Sequence, residues 1–271
     1  KKTKAFKWSI WSDKIMKKLI AFKIFLTSFN LFSSITKEQS IILTSYTYPG
    51  SLYWEKVIEM GEDKILYVII NPSSGPGEIR DENYVKQIEK IKKSNIKIIA
   101  YIPTNYQKRS INTVYKDIEK YFEFYGKENL NGFFFDEIGV ENKNEVEYLK
   151  ELNNHVKNIS NDYLVVSNPG RQITDEIAPH SDIFVTSEIS GEEYINKFSK
   201  PKSKFENDSN NYKHIYHIIY DVKPKDYKRV LKLSRERNAG WIMITDAKLP
   251  NPYDKMPSNF SKLVDIILKK W

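Results

Sequence analysis

The chain has 271 residues, no cysteine, a hydrophobic fraction of 40% and a net charge of +8. That length suits one domain with a large core, and the lack of cysteine excludes a disulfide scaffold and thiolate-bound metal. The basic excess sits at one end: residues 1–40 carry nine Lys against Asp13 and Glu38, and the rest is close to neutral, so no nucleic-acid partner is expected.

Taken in chain order, Met16-Lys17-Lys18 followed by Leu19 to Phe32 reads as the positive and apolar regions of an export signal spanning about 16–36. Ser33, Ser34 and Thr36 supply small residues near a cleavage point. An amphipathic helix is the alternative, because Lys23 and Asn30 interrupt the run. The stretch is short for a membrane span. The expectation is therefore a basic segment over residues 1–40, a folded domain over 41–271, and a secreted product with no stable membrane span once mature.

From residue 41 strands and helices alternate. Apolar runs predict strands at Ile41 to Tyr46, Ile65 to Ile70, Ile96 to Tyr101, Gly132 to Phe135, Tyr163 to Ser167, Asp182 to Ser187, His214 to Tyr220 and Gly240 to Thr245. Apolar residues at three- and four-residue spacing predict helices over 82–93, 111–125, 142–158, 191–198 and 224–237. Eight strands joined by crossover helices predict a parallel (β/α)8 barrel, with a doubly wound open sheet as the alternative.

Polar clusters follow the strands: Asn71 to Gly77, Thr104-Asn105-Tyr106, Asp136-Glu137, Asn168-Pro169-Gly170, Glu188 and Asp246. In a barrel all of them reach one rim, where active sites are built. The pair Asp136-Glu137 is the most informative, since a strand buried on both faces has no structural use for two acids at its carboxyl end. Side chains alternate along a strand, so Asp136 shares its side with Phe134, and Glu188 is expected on the side of Phe184 and Thr186. Two acids facing each other from strands four and six fit glycosidic cleavage, in which one protonates the leaving oxygen and the other attacks or activates water. Loop acids held in ion pairs are the alternative.

The segment Asn71 to Gly77 lacks a Gly-Lys-Ser/Thr, and Pro72 and Pro76 remove backbone donors, so it reads as a rigid turn and not as a phosphate loop. His214 and His217 lie three apart on a strand and project to opposite faces; no metal and no cofactor are expected. His217 is placed at the pocket wall, with a packed core position as the alternative. Tyr46, Tyr48, Tyr53, Trp54, Tyr101, Tyr106, Tyr220, Trp241 and Tyr253 are aromatics near the rim, where flat rings suit sugar faces.

Val68 to Gly77, Ala100-Tyr101-Ile102-Pro103-Thr104, Gly132 to Glu137 and Asn168-Pro169-Gly170 resemble the spherulin-4 family in wording and order. Glu188, His217 and Thr245-Asp246 through Pro252-Tyr253 continue the match, which departs from the family's wording at Ile102-Pro103. That family looks like glycoside hydrolase family 135, whose characterised members are secreted or membrane-anchored barrels cutting galactosaminogalactan, an α-1,4-linked polymer of galactose and N-acetylgalactosamine. The resemblance implies essential acids at Asp136, Glu137 and Glu188. By analogy with other barrels acting on α-linked sugars, Asp136 is assigned as nucleophile, Glu188 as general acid/base, and Glu137 as a substrate ligand or a tuner of Asp136; the swap of the first two roles stays open. Tyr46, Asn71, Tyr101, Tyr106, Asn168, His217, Trp241 and Asp246 are the candidate substrate-binding residues. The expected activity is endo-acting, retaining hydrolysis of an amino-sugar polysaccharide by a monomer. The rival is a wall or coat protein of the spherulation or encystment type that binds carbohydrate without cutting it.

Overall fold

The computed structural model describes residues 38–269; the expected export signal lies outside them. Eight parallel strands close into a barrel in chain order: β1 (Ser40–Ser45), β2 (Tyr67–Ile70), β3 (Lys97–Pro103), β4 (Gly132–Asp136), β5 (Leu164–Asn168), β6 (Ile183–Ser190), β7 (Ile215–Tyr220) and β8 (Trp241–Ile244). β8 pairs with β1, Ser40 opposite Trp241, which excludes the open-sheet alternative.

The five expected helices are present as α2 (Glu82–Lys93), α3 (Ile111–Tyr125), α4 (Lys143–Ile159), α5 (Gly191–Asn196) and α7 (Tyr227–Glu236), and three more join them: α1 (Leu52–Met60), α6 (Lys204–Asn207) and α8 (Phe260–Leu268). Each long helix buries one stripe. In α2 it is Tyr84, Ile88 and Ile91, with Lys90, Lys92 and Lys93 in the last turn, where cations suit the carboxyl end. Asp81 caps α2 by accepting from the amides of Asn83 and Tyr84, and Asn142 and Glu145 form a reciprocal capping box on α4. The fifth crossover departs from the alternation, having only the 3-10 turn Ala178–His180 between β5 and β6. Among the described residues no helix is long and apolar enough to cross a membrane.

The strands read as continuous apolar runs because both faces are covered. On β4, Phe133 points outward and meets Phe122 of α3 edge-on at 5.7 Å, whereas Phe134 points inward and stacks on Tyr101 at 6.0 Å. All three phenylalanines of β4 are fully buried, each stabilising the fold by about 1.5–3 kcal/mol relative to exposure. Close approach of β5 requires Gly132 at the head of β4: a Cβ there would lie 2.1 Å from the carbonyl oxygen of Leu164. Tyr67 and Trp241 meet edge-on at 5.7 Å across β1 and close the amino-terminal end of the barrel interior.

Strand β6 is the irregular one. Val185 pairs with Tyr216 and Ser187 with His217, so Thr186 is an extra residue, a β-bulge. Before the bulge Ile183 and Val185 share the inward side with Val166 and Tyr216; after it Glu188 and Ser190 share that side with Ile218 and Tyr220. Glu188 therefore faces inward together with Val185. The expectation that it shares a side with Phe184 and Thr186 is corrected: those two point outward.

Candidate active site

Five strands and one long loop converge on the carboxyl-terminal mouth. Asp136 ends β4 with three donors on its carboxylate: the Tyr101 hydroxyl of β3 at 2.8 Å, the Glu137 amide at 3.0 Å and the Asn168 side-chain amide of β5 at 2.7 Å. The same Asn168 nitrogen donates to Glu188 of β6 at 2.7 Å. Gly170 N donates to the Asn168 carbonyl oxygen at 2.9 Å, which orients the amide so that its NH2 faces the acids. One nitrogen thus holds Asp136 and Glu188 within two hydrogen-bond lengths of each other. The two oxygens that share it can be no more than about 5.4 Å apart, which fits the shorter of the two carboxylate spacings used in glycosidic cleavage.

The second oxygen of Glu188 accepts a short hydrogen bond from the Tyr253 hydroxyl. Tyr253 arrives on the loop after β8, and its carbonyl accepts from the Tyr46 amide at 2.9 Å. Tyr46 stands edge-on to both Tyr101 and Tyr253, at 5.4 Å in each case, so three aromatic rings wall one side of the mouth. Burial and the neighbouring carboxylates push all three phenols well above their ordinary range, so they stay protonated as donors.

Burial first, and the charge of Glu188 second, push the Asp136 carboxyl up to about 6 despite its three donors. Two carboxylates this close cannot both ionise cheaply, and the raised Asp136 carboxyl is the one able to hold a proton near neutral pH.

Glu137 adopts a left-handed backbone, φ 57°, and its carboxylate turns away to accept from the Asn105 amide at 3.1 Å. Its carbonyl accepts from the Tyr106 amide at 2.7 Å and the Thr104 hydroxyl at 2.8 Å. Asn105, Tyr106 and Gln107 are themselves left-handed, a run that costs about 1–2 kcal/mol per residue. Glu137 secures that loop beside the mouth.

The remaining sequence candidates divide. Tyr46, Tyr101 and Asn168 join the carboxylates. Tyr106 lies on the rim, 57% exposed. Asn71 closes its own loop, its side-chain oxygen accepting from the Gly75 amide at 2.9 Å, and Asp246 likewise accepts from the Ser258 amide at 2.8 Å. Two placements are corrected. His217 points out of the barrel, 1% exposed, between Tyr194 and Thr186, and does not line the mouth. Trp241 begins β8 at the opposite end, its indole N–H donating to the Lys213 carbonyl at 2.6 Å. Tyr53 and Trp54 are buried core residues of α1. Tyr253, which the sequence placed only among rim aromatics, is a direct partner of Glu188.

A family model covers nearly all of the described chain: residues 40–267 match Spherulin4, spherulation-specific family 4. The chain belongs to that family. Spherulin-4 of Physarum polycephalum is 27% identical over 176 residues, 64% of this chain and 52% of the relative, so the chain spans about half the length of that curated protein. Aspergillus clavatus Sph3, solved in complex with GalNAc, superposes with a TM-score of 0.74 at 26% identity, covering 86% of this chain and 98% of that one. The match supports the resemblance to glycoside hydrolase family 135 and the (β/α)8 fold, which is that of a glycoside hydrolase-like protein.

Proposed function

We propose that this chain is a secreted, endo-acting, retaining glycoside hydrolase acting on a polysaccharide that contains N-acetylgalactosamine or galactosamine. The observation that carries the reading is the Asn168 amide bridging Asp136 and Glu188 beneath an aromatic wall. The amino-sugar substrate rests on family membership and on the likeness to Sph3, whose structure holds GalNAc. Export rests on the basic and apolar run of residues 16–36.

The electrostatics favour the swapped assignment of the two acids. Asp136, with its carboxyl raised to about 6, is the proton donor, and Glu188, held by Tyr253 and Asn168, is the nucleophile. In the first step Glu188 attacks the anomeric carbon while Asp136 passes its proton to the glycosidic oxygen. That C–O bond breaks and the leaving saccharide departs neutral. A water molecule then cleaves the glycosyl ester, returning its proton to Asp136 and freeing Glu188. The Glu137 amide and Tyr101 hydroxyl stabilise the Asp136 carboxylate formed between the steps.

The test is incubation of the purified protein with GalNAc-, GlcNAc- and galactosamine-containing polymers. Viscosity, reducing ends and the anomer of the first product are followed. Rapid loss of viscosity with a retained anomer is expected from the first or third polymer. Tight binding without oligosaccharide release overturns the hydrolase and leaves a carbohydrate-binding wall or coat protein.

A further inference from the structure

Behind β6, on the helix side and outside the mouth, lies a buried polar chain with no role in the chemistry above. Tyr194 of α5 and His217 of β7 share a hydrogen bond of 2.7 Å at Nδ1, and Nε2 of the same ring lies 3.2 Å from the Thr186 hydroxyl. The Thr186 hydroxyl lies beside the carboxylate of Glu206 on α6 and favours its charged form. That carboxylate accepts from the Ile173 amide at 2.8 Å and the Ser203 hydroxyl at 3.2 Å. The four side chains are between 0% and 4% exposed, so each polar atom depends on its neighbour in the chain.

With a neutral ring, one imidazole nitrogen donates and the other accepts, so His217 joins the Tyr194 and Thr186 hydroxyls into one directional chain. This requires a neutral imidazole, and burial together with the nearby Arg237 charge pushes His217 down to about 3. Arg237 packs over the rings of Tyr194 and Phe198, at 4.2 and 3.9 Å, and closes the chain from solvent.

The chain converges on one residue, and that residue is the bulge. Thr186 is the extra position that lets Val185 and Glu188 both face the barrel interior. In a regular strand the inward positions after Val185 would be Ser187 and Ile189, and Glu188 would face the helices. The hydroxyl of Thr186, held by His217 of β7 and facing the Glu206 carboxylate of α6, keeps the extra residue on the helix side. The loop bound by Glu206 through Ile173 begins at Gly170, whose position packs against Glu188: a Cβ there would lie 3.6 Å from the Glu188 Cβ.

We propose that Tyr194, His217, Thr186 and Glu206 form a lock on the β6 bulge that aims Glu188 at Asp136, with Thr186 and His217 as positioning residues. The proposal rests on the hydrolase reading for its effect on rate, but not for its effect on geometry. Its test therefore carries two readouts: steady-state hydrolysis, and titration of the Asp136 carboxyl by NMR, which senses the Glu188 charge whether or not the protein cleaves anything.

Thr186→Val keeps the shape and removes the hydroxyl. It is expected to lower kcat by roughly 10- to 100-fold with KM changed by less than about threefold, as a misplaced reacting group does. The Asp136 titration should move down as Glu188 withdraws. Thr186→Ser restores the hydroxyl and should bring both readouts back near wild type. His217→Phe, which keeps a ring and removes its hydrogen bonds, should move both in the direction of the valine variant and serves if that variant does not fold. Wild-type kcat and an unmoved Asp136 titration in a folded Thr186→Val or His217→Phe protein would overturn the lock. If wild type releases no oligosaccharide, the hydrolase reading fails by itself, and the titration alone still decides the lock.

Discussion

Strands β4 and β6 each deliver one carboxylate to the same nitrogen, by opposite means. β4 is regular: Gly132, Phe134 and Asp136 alternate inward without interruption, and Asp136 takes its place because the strand ends there. β6 runs longer, to Ser190, and breaks its own alternation at Thr186 before Glu188 can face in. The regular strand supplies a deeply buried acid with a raised pKa, and the bulged strand supplies a carboxylate anchored by Tyr253. A barrel can give two chemically identical groups different tasks through depth and partners alone.

The largest expected effect tests that division of labour. Glu188→Gln should lower kcat by about 10³-fold or more on every substrate, because no other group forms the glycosyl ester. Asp136→Asn should lose about 10²- to 10⁴-fold on the natural linkage but far less on an aryl glycoside whose leaving group needs no protonation. The reverse pattern on the aryl glycoside returns the nucleophile's role to Asp136.

Removing the shared donor comes next. Asn168→Leu should leave both acids in place without their common partner and lower kcat by about 10- to 100-fold, read in the same assay. Unchanged activity would mean that the bridge is incidental to the spacing.

The pH dependence separates the two acids further. The proton on Asp136 is lost as pH rises through about 6, so kcat/KM should fall above that value by about tenfold per unit. The raised carboxyl also binds its proton more tightly folded than unfolded. The stabilisation it gives is therefore complete below the unfolded value near 4, and is lost as pH climbs through about 6. At pH 7 Asp136→Asn should raise Tm, by an amount worth ~1–3 kcal/mol, with the gap closing toward pH 4. A variant less stable than wild type at pH 7 would place the proton elsewhere. The smallest effect belongs to the far end of the barrel: Trp241→Phe should alter kcat by less than about twofold while lowering Tm, since the ring packs on Tyr67 away from both acids.

How much of this was legible in the chain follows the same contrast. Eight parallel strands declare themselves as unbroken apolar runs, and Asp136 stands out because three phenylalanines end on it. The partnership with Asn168 follows from neighbouring strand ends. Glu188 was identifiable as a residue but not as a direction, because a bulge is a property of pairing with β7 and leaves no mark in a run such as Phe184-Val185-Thr186-Ser187. His217 was misplaced for a related reason: alternation says that a strand residue has two sides, but only the register of β7 against β6 and β8 says which is inside. Tyr253 comes from a loop 65 positions beyond Glu188, brought back only when β8 closes on β1. Trp241 follows Gly240 at the head of its strand, so its end of the barrel was readable from its place in the run.

The extra residue in β6 can also be put as parity. Facing the interior is an odd-or-even property of a strand, and Thr186 is the single count that changes it for everything downstream as far as Ser190. Shortening β6 by one residue between 185 and 187 would erase the bulge and still leave Glu188 inward. Lengthening it by one just before Glu188 would turn the carboxylate, and Ser190 with it, toward the helices and bring Ile189 inside. For this barrel the acid at position 188 is half of the specification, and the number of residues leading up to it is the other half.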